Sequence, residues 1–79
     1  MSEPQHILDT KGLSCPLPVL KAKKAFKSMA EGECLTVFAT DPASAIDFRH
    51  LCNVTGYILE KYNEQDGVFE YVIRKTAAQ

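Results

Sequence analysis

Three cysteines, Cys15, Cys34 and Cys52, are the residues in this chain best suited to covalent chemistry. Their spacings, 19 and 18 residues, hold no CxxC pair, so they do not outline a zinc knuckle. An odd count with no secretion signal ahead of it argues against a disulfide framework and leaves at least one thiol unpaired. Cys15 stands apart because it lies in "GLSCPLPVLKAKKAF", directly before Pro16 and close to Pro18. Prolines are tolerated in a helix only in its first turn, where the N–H groups have no intrahelical partner. C-P-x-P therefore predicts a helix beginning at this cysteine, with Cys15 as N-cap, Pro16 at the first helical position and Pro18 at the third.

A thiol at that point faces the positive end of the helix dipole, which favours the nucleophilic thiolate. Lys21 and Lys24, one to two turns along, add positive potential. The expectation is a thiol pKa below the ordinary value for cysteine. A hydrolytic cysteine also needs a base beside it. His6 is expected at the start of the first strand, and His50 about 12 Å down the second helix at ~1.5 Å per residue. Both read as surface residues, and neither suits a Cys–His pair. This points away from a peptidase and toward a thiol that carries a group between partners. Cys34 opens a strand and Cys52 sits among apolar helix positions, so both read as structural.

The elements that must hold Cys15 follow from pattern. "HILD" predicts a first strand over residues 5–9, and Gly12 marks the loop after it. Residues 16–29 carry a helical period, with Val19, Ala22, Ala25, Phe26 and Met29 in one arc of about 120° and the lysines opposite. Gly32 is read as the stop. "CLTVFA" predicts a strand over 34–39, and Asp41-Pro42 a helix start with Asp41 as N-cap, running to Val54. Ile46, Phe48, Leu51 and Cys52 spread around that second helix, which suggests an irregular turn. "YILEKYN" and "VFEYVIRK" flank Asp66-Gly67 as a hairpin, with Phe69, Tyr71 and Ile73 inward and Glu70 and Arg74 outward.

The order β-α-β-α-β-β gives an α/β (α+β) two-layer sandwich, a mixed four-stranded sheet with both helices on one face. The 79 residues, 1–79, read as one domain with room for little beyond that sheet and helical layer. A chain this size buries roughly 60% of its unfolded surface, so an enclosed cofactor is not expected, nor a metal. Net charge −1 counts against a dedicated nucleic-acid binder. No apolar run nears the ~20 residues of a membrane span, and the N-terminal residues lack a signal peptide, so the expected location is the cytoplasm and the expected state a monomer.

D-x-x-G-L-x-C-P-x-P, here running from Asp9 through Gly12, Leu13, Cys15 and Pro16 to Pro18, resembles the signature of the TusA (SirA-like) sulfur-carrier family. Gly32-Glu33, Asp41-Pro42, Asp47, Cys52, Gly56 and the terminal "IRK" also look like the family pattern. The resemblance implies a sulfurtransferase whose Cys15 accepts sulfane sulfur as a persulfide, with Asp9, Gly12, Pro16 and Pro18 as the supporting motif. It implies as partners a cysteine desulfurase or other sulfane-sulfur donor protein and a downstream acceptor, serving tRNA thiolation, molybdenum-cofactor synthesis or sulfur oxidation. Leu17 stands where tRNA-pathway members often carry Glu, Arg49 where relatives often carry Pro, and the first helix has lysines in place of arginines. On the wheel Leu17 and Leu20 fall among Lys21, Lys23, Lys24 and Lys27, which reads as a partner-docking face of Leu17, Leu20, Lys21 and Lys24. The alternative reading is a regulatory module, or a protein- or RNA-binding module, on the same fold.

Overall fold

The computed structural model describes residues 5–76. Its order is β1 (Gln5–Thr10), α1 (Leu17–Lys27), β2 (Cys34–Ala39), α2 (Ser44–Thr55), β3 (Ile58–Gln65) and β4 (Val68–Arg74). The sheet runs β1-β2-β4-β3, with β1 parallel to β2 and the two remaining pairings antiparallel. The expected mixed sheet and element order are therefore present. The hairpin does not simply append to the sheet: β4 slots between β2 and β3, leaving β3 at an edge. β4 suits the central place because it alternates cleanly. Phe69, Tyr71 and Ile73 point inward and are buried, while its other residues are only half-covered.

Inner-face residues pair across the central strands, Leu35 with Ile73, Val37 with Tyr71 and Ala39 with Phe69. The same core takes Val19, Ala22 and Phe26 from α1, and Phe48 and Leu51 from α2. Phe48 has no exposed surface and its ring lies 4.7 Å from that of Tyr71. Burying such a side chain contributes about 1.5–3 kcal/mol. Beside that pair, Tyr71 shares a buried hydroxyl hydrogen bond of 2.8 Å with Ser44 at the head of α2. The helix is thus fixed to the sheet at the end where the site lies. Ile46 explains the untidy apolar pattern of α2: it is exposed, and the helix runs uninterrupted over Ser44–Thr55.

The helix boundaries differ from the pattern reading. The Pro16 carbonyl accepts from the Leu20 N–H at 3.0 Å, the first helical bond of α1. Pro16, not Cys15, is therefore the N-cap, Leu17 takes the first helical position and Pro18 the second. Both prolines still sit where no helical hydrogen bond is lost. α1 closes at Ser28, whose N–H reaches the Ala25 carbonyl at 3.2 Å. Gly32 lies past that end, and its N–H instead donates to the Lys75 carbonyl at 2.7 Å. α2 begins two residues later than expected, with Ala43 and not Asp41 as N-cap. β1 runs one residue further, to Thr10.

In the hairpin turn, Asp66 and Gly67 have φ of 54° and 79°. Two consecutive positive φ values are what a tight type I′ connection requires.

Candidate active site

Cys15 lies in the loop between β1 and α1, and three contacts shape that loop. Asp9 Oδ1 accepts the Lys11 N–H at 2.9 Å and lies 3.1 Å from Lys11 Nζ. The first of these, with the lysine charge behind it, holds the Asp9 carboxyl below its ordinary pKa. Gly12 follows with φ of 84°, and its N–H donates to Thr40 Oγ1 at 2.9 Å. A Cβ at Gly12 would meet nothing within 4 Å, so the constraint is the left-handed backbone and not space. Leu17 N–H then bonds the Ser14 carbonyl at 2.9 Å, turning the chain into α1. The Cys15–Pro16 peptide is cis. Pro18 is buried, and Cys15, Pro16 and Leu17 are exposed.

The loop is tied to the head of α2 by two carboxylates. The Cys15 N–H donates to Asp41 Oδ2 at 2.5 Å, while Asp41 Oδ1 accepts the Ala43 N–H at 3.0 Å. These bonds to backbone N–H groups, Cys15 first, hold the Asp41 carboxyl below its ordinary pKa. That use of Asp41 explains why it does not cap α2: one oxygen closes its own turn and the other reaches back to Cys15. The thiol itself donates to Asp47 Oδ2 in the first turn of α2.

This arrangement overturns the expected thiol acidity. The Asp47 carboxylate stabilises the S–H form, and with partial desolvation and the nearby Asp41 charge it raises the Cys15 pKa above its ordinary value. The positive end of α1 is outweighed by two carboxylates. Proximity decides this: Asp47 touches the sulfur, whereas Lys21 and Lys24 lie on exposed helix surface.

The other candidates fall as follows. His50 is exposed on α2. His6 is not a loose surface residue but half-buried, its Nε2 3.0 Å from Glu33 Oε1, at the end of β1 away from Cys15. Cys34 is buried with Sγ 3.8 Å from Glu60 Oε1, and Cys52 is half-buried, its pKa raised by that burial. Neither forms a disulfide. Leu17 and Leu20 are exposed, as are Lys21 and Lys24. Among the described residues, no three His, Cys, Asp or Glu side chains gather as a metal site would require, and no helix is long and apolar enough to cross a membrane. Sequence reasoning assigns no role at the sulfur to Asp41 or Asp47. Their presence in the family-like pattern is the one available signal.

Comparison with known proteins gives a consistent result. The family model described as sulfurtransferase TusA matches residues 6–75. A Neisseria meningitidis protein is 51% identical over 67 residues, 85% of this chain and 90% of its own. A protein of Allochromatium vinosum named sulfur carrier protein TusA is 42% identical over 76 residues, covering 96% of this chain and all (100%) of its own. The crystal structure of a SirA-like protein from Desulfitobacterium hafniense superposes with a TM-score of 0.77 at 32% identity, over 90% of this chain and 99% of that one.

Proposed function

The chain belongs to the sulfurtransferase TusA family, and from that premise we propose that it carries sulfane sulfur as a persulfide on Cys15. Relatives named sulfur carriers support the carrier role. The observation that carries the assignment to Cys15 is its exposure on a loop anchored by Asp41, while Cys34 is buried and Cys52 half-buried. Cytoplasmic location and a monomeric state belong to the same reading.

Loading is a displacement at sulfur. The Cys15 thiolate attacks the terminal sulfur of a donor persulfide, a new S–S bond forms at Cys15, and the donor's S–S bond breaks. The donor leaves as a thiolate that takes up the proton Cys15 has given up. No net oxidation occurs. At rest the Cys15 S–H donates to the Asp47 carboxylate and keeps its proton, so the donor must supply the acid–base help or disturb that hydrogen bond. Asp9, Gly12, Pro16 and Pro18 shape and stiffen the loop, and Leu17, Leu20, Lys21 and Lys24 form a surface beside it for the protein donor and acceptor.

Intact-mass measurement tests the assignment after incubation with a cysteine desulfurase and cysteine, or with inorganic polysulfide. The wild type should gain the mass of one or more sulfur atoms. Cys15→Ser should gain none, and Cys34→Ala and Cys52→Ala should load normally. Stable, undiminished loading of Cys15→Ser would overturn it.

A further inference from the structure

A groove of about 430 Å³ runs between α1 and α2, starting at Asp47, which touches Cys15. Its apolar lining includes Val19, Phe26, Leu51 and Val54. Tyr57 completes the floor, its ring 4.8 Å from that of Phe26. Val54 is 70% exposed and, like Ile46, is a large apolar side chain that α2 leaves open to solvent while it buries Phe48 and Leu51.

Three lysines line the groove, Lys23, Lys27 and Lys75, against the single carboxylate of Asp47. Lys75 Nζ is engaged with the Phe26 and Met29 carbonyls at 2.6 and 2.8 Å, closing the far end. Lys23 and Lys27 are exposed. This local excess of positive charge contrasts with a chain whose net charge is −1. The lysines of α1 are therefore not one face: Lys23 and Lys27 flank the groove, and Lys21 and Lys24 do not line it.

We propose that this groove docks an acidic, apolar-anchored segment of the sulfur-donating or sulfur-accepting protein. Resting on the sulfur-carrier reading, the proposal deepens it by naming a second contact beyond the surface around Leu17 and Leu20. One or two leucine or aromatic side chains of the segment fill the space over Phe26, Tyr57 and Val54. Carboxylates beside them pair with Lys23 and Lys27. Such a segment leads to Cys15 at the groove's other end, so it aligns the incoming cysteine with the thiol. Charge selects an acidic occupant over a basic one, and the apolar floor distinguishes it from a nucleic-acid backbone, which offers no apolar anchor.

The test needs no sulfur transfer, so its failure is separable from failure of persulfide loading. The probe is a fluorescein-labelled, cysteine-free peptide alternating Leu and Phe with Glu, titrated into the full chain and followed by polarisation and by amide shifts in NMR. Saturable binding with shifts centred on Leu51, Val54, Thr55 and Tyr57 is expected. Lys23→Glu with Lys27→Glu should weaken it at least about fivefold, since two attractive pairs become repulsive. Val54→Glu, at an exposed position that leaves the core intact, should do the same. Lys61→Glu, on β3, should leave it unchanged. Equal affinity for the matching peptide with Lys in place of Glu, tighter binding of a single-stranded oligonucleotide, or shifts confined to other surfaces would each overturn the proposal.

Discussion

Cys15 and Asp47, 32 residues apart in the chain, meet through a thiol-to-carboxylate hydrogen bond at the head of α2. Cys15 is thus tied twice at the head of α2. Its backbone N–H goes to Asp41 before α2, and its side chain goes to Asp47 within it. In the isolated protein the thiol rests protonated, a sensible state for a carrier that should react with its partner and not with stray electrophiles. Reactivity then depends on what a partner does to Asp47.

The first prediction follows from the sign of that interaction. A carboxylate that accepts the thiol proton favours S–H over S⁻, so the Cys15 pKa is raised and removing the charge must lower it. Alkylation of the wild type should titrate with a midpoint above the ordinary cysteine value of about 8.5. Asp47→Asn should bring the midpoint down and speed alkylation at neutral pH. The thiolate fraction there rises about tenfold for every 1.4 kcal/mol of S–H stabilisation removed, partly offset by the lower intrinsic reactivity of a more acidic thiol. A wild-type midpoint at or below the ordinary value would show that the dipole of α1 outweighs both carboxylates.

Asp41 gives a second, structural prediction. Its carboxyl is held below its ordinary pKa by the N–H groups of Cys15 and Ala43. A carboxyl whose folded pKa is depressed stabilises the fold above its unfolded pKa, and that contribution fades as pH falls through the folded one. The Cys15 amide should therefore be protected from hydrogen exchange at neutral pH. Asp41→Ala should abolish that protection while the β2 and β4 amides stay protected. Unchanged Cys15 protection would mean the loop is held by its own turn.

What is legible in the sequence, and what is hidden, separates by distance along the chain. Cys15 at a helix start is readable because two prolines within three residues confine it there. The alternation of Phe69, Tyr71 and Ile73 is readable for the same local reason, as is the Asp66-Gly67 turn. Asp41 reads as a helix cap because its local context, Asp-Pro, signals one; its second oxygen is needed 26 residues away, at Cys15. Asp47 looks like an ordinary first-turn acid, and nothing near it in sequence points to the thiol. The insertion of β4 between β2 and β3 is equally hidden, since a hairpin pattern fixes its own pairing and not its neighbour on the sheet.

Packing behind the site yields a third prediction. Phe48, adjacent to Asp47 in the chain, is fully buried against Tyr71. Phe48→Ala should cost about 3–5 kcal/mol in denaturant unfolding, a large share of the ~5–15 kcal/mol typical of whole domains. A loss below about 1 kcal/mol would indicate that α2 repacks freely, against the behaviour of a close-packed core.

The last prediction concerns the exposed surface at the start of α1. Leu17 and Leu20 are 45% and 51% exposed, with Lys21 and Lys24 on the same outward side and Cys15 just ahead of them. Isolated exposed leucines are common and by themselves indicate nothing. Sulfur transfer between two proteins, however, demands that two sulfur atoms come into contact, so any protein donor must cover the start of this helix. An apolar spot beside exposed ammonium groups suits a transient encounter with an acidic surface, and such steering raises association rates by ~10–10³-fold. Lys21→Glu with Lys24→Glu should therefore slow loading by the protein donor about tenfold or more at low salt, with an unchanged unfolding transition. For the wild type, loading by the protein donor should slow as ionic strength rises, because screening acts on exposed charges. Inorganic polysulfide, which needs no docking surface, should load both proteins at similar rates. Equal rates from the protein donor would place docking away from this surface, while a parallel loss with polysulfide would show that the lysines act on the thiol itself.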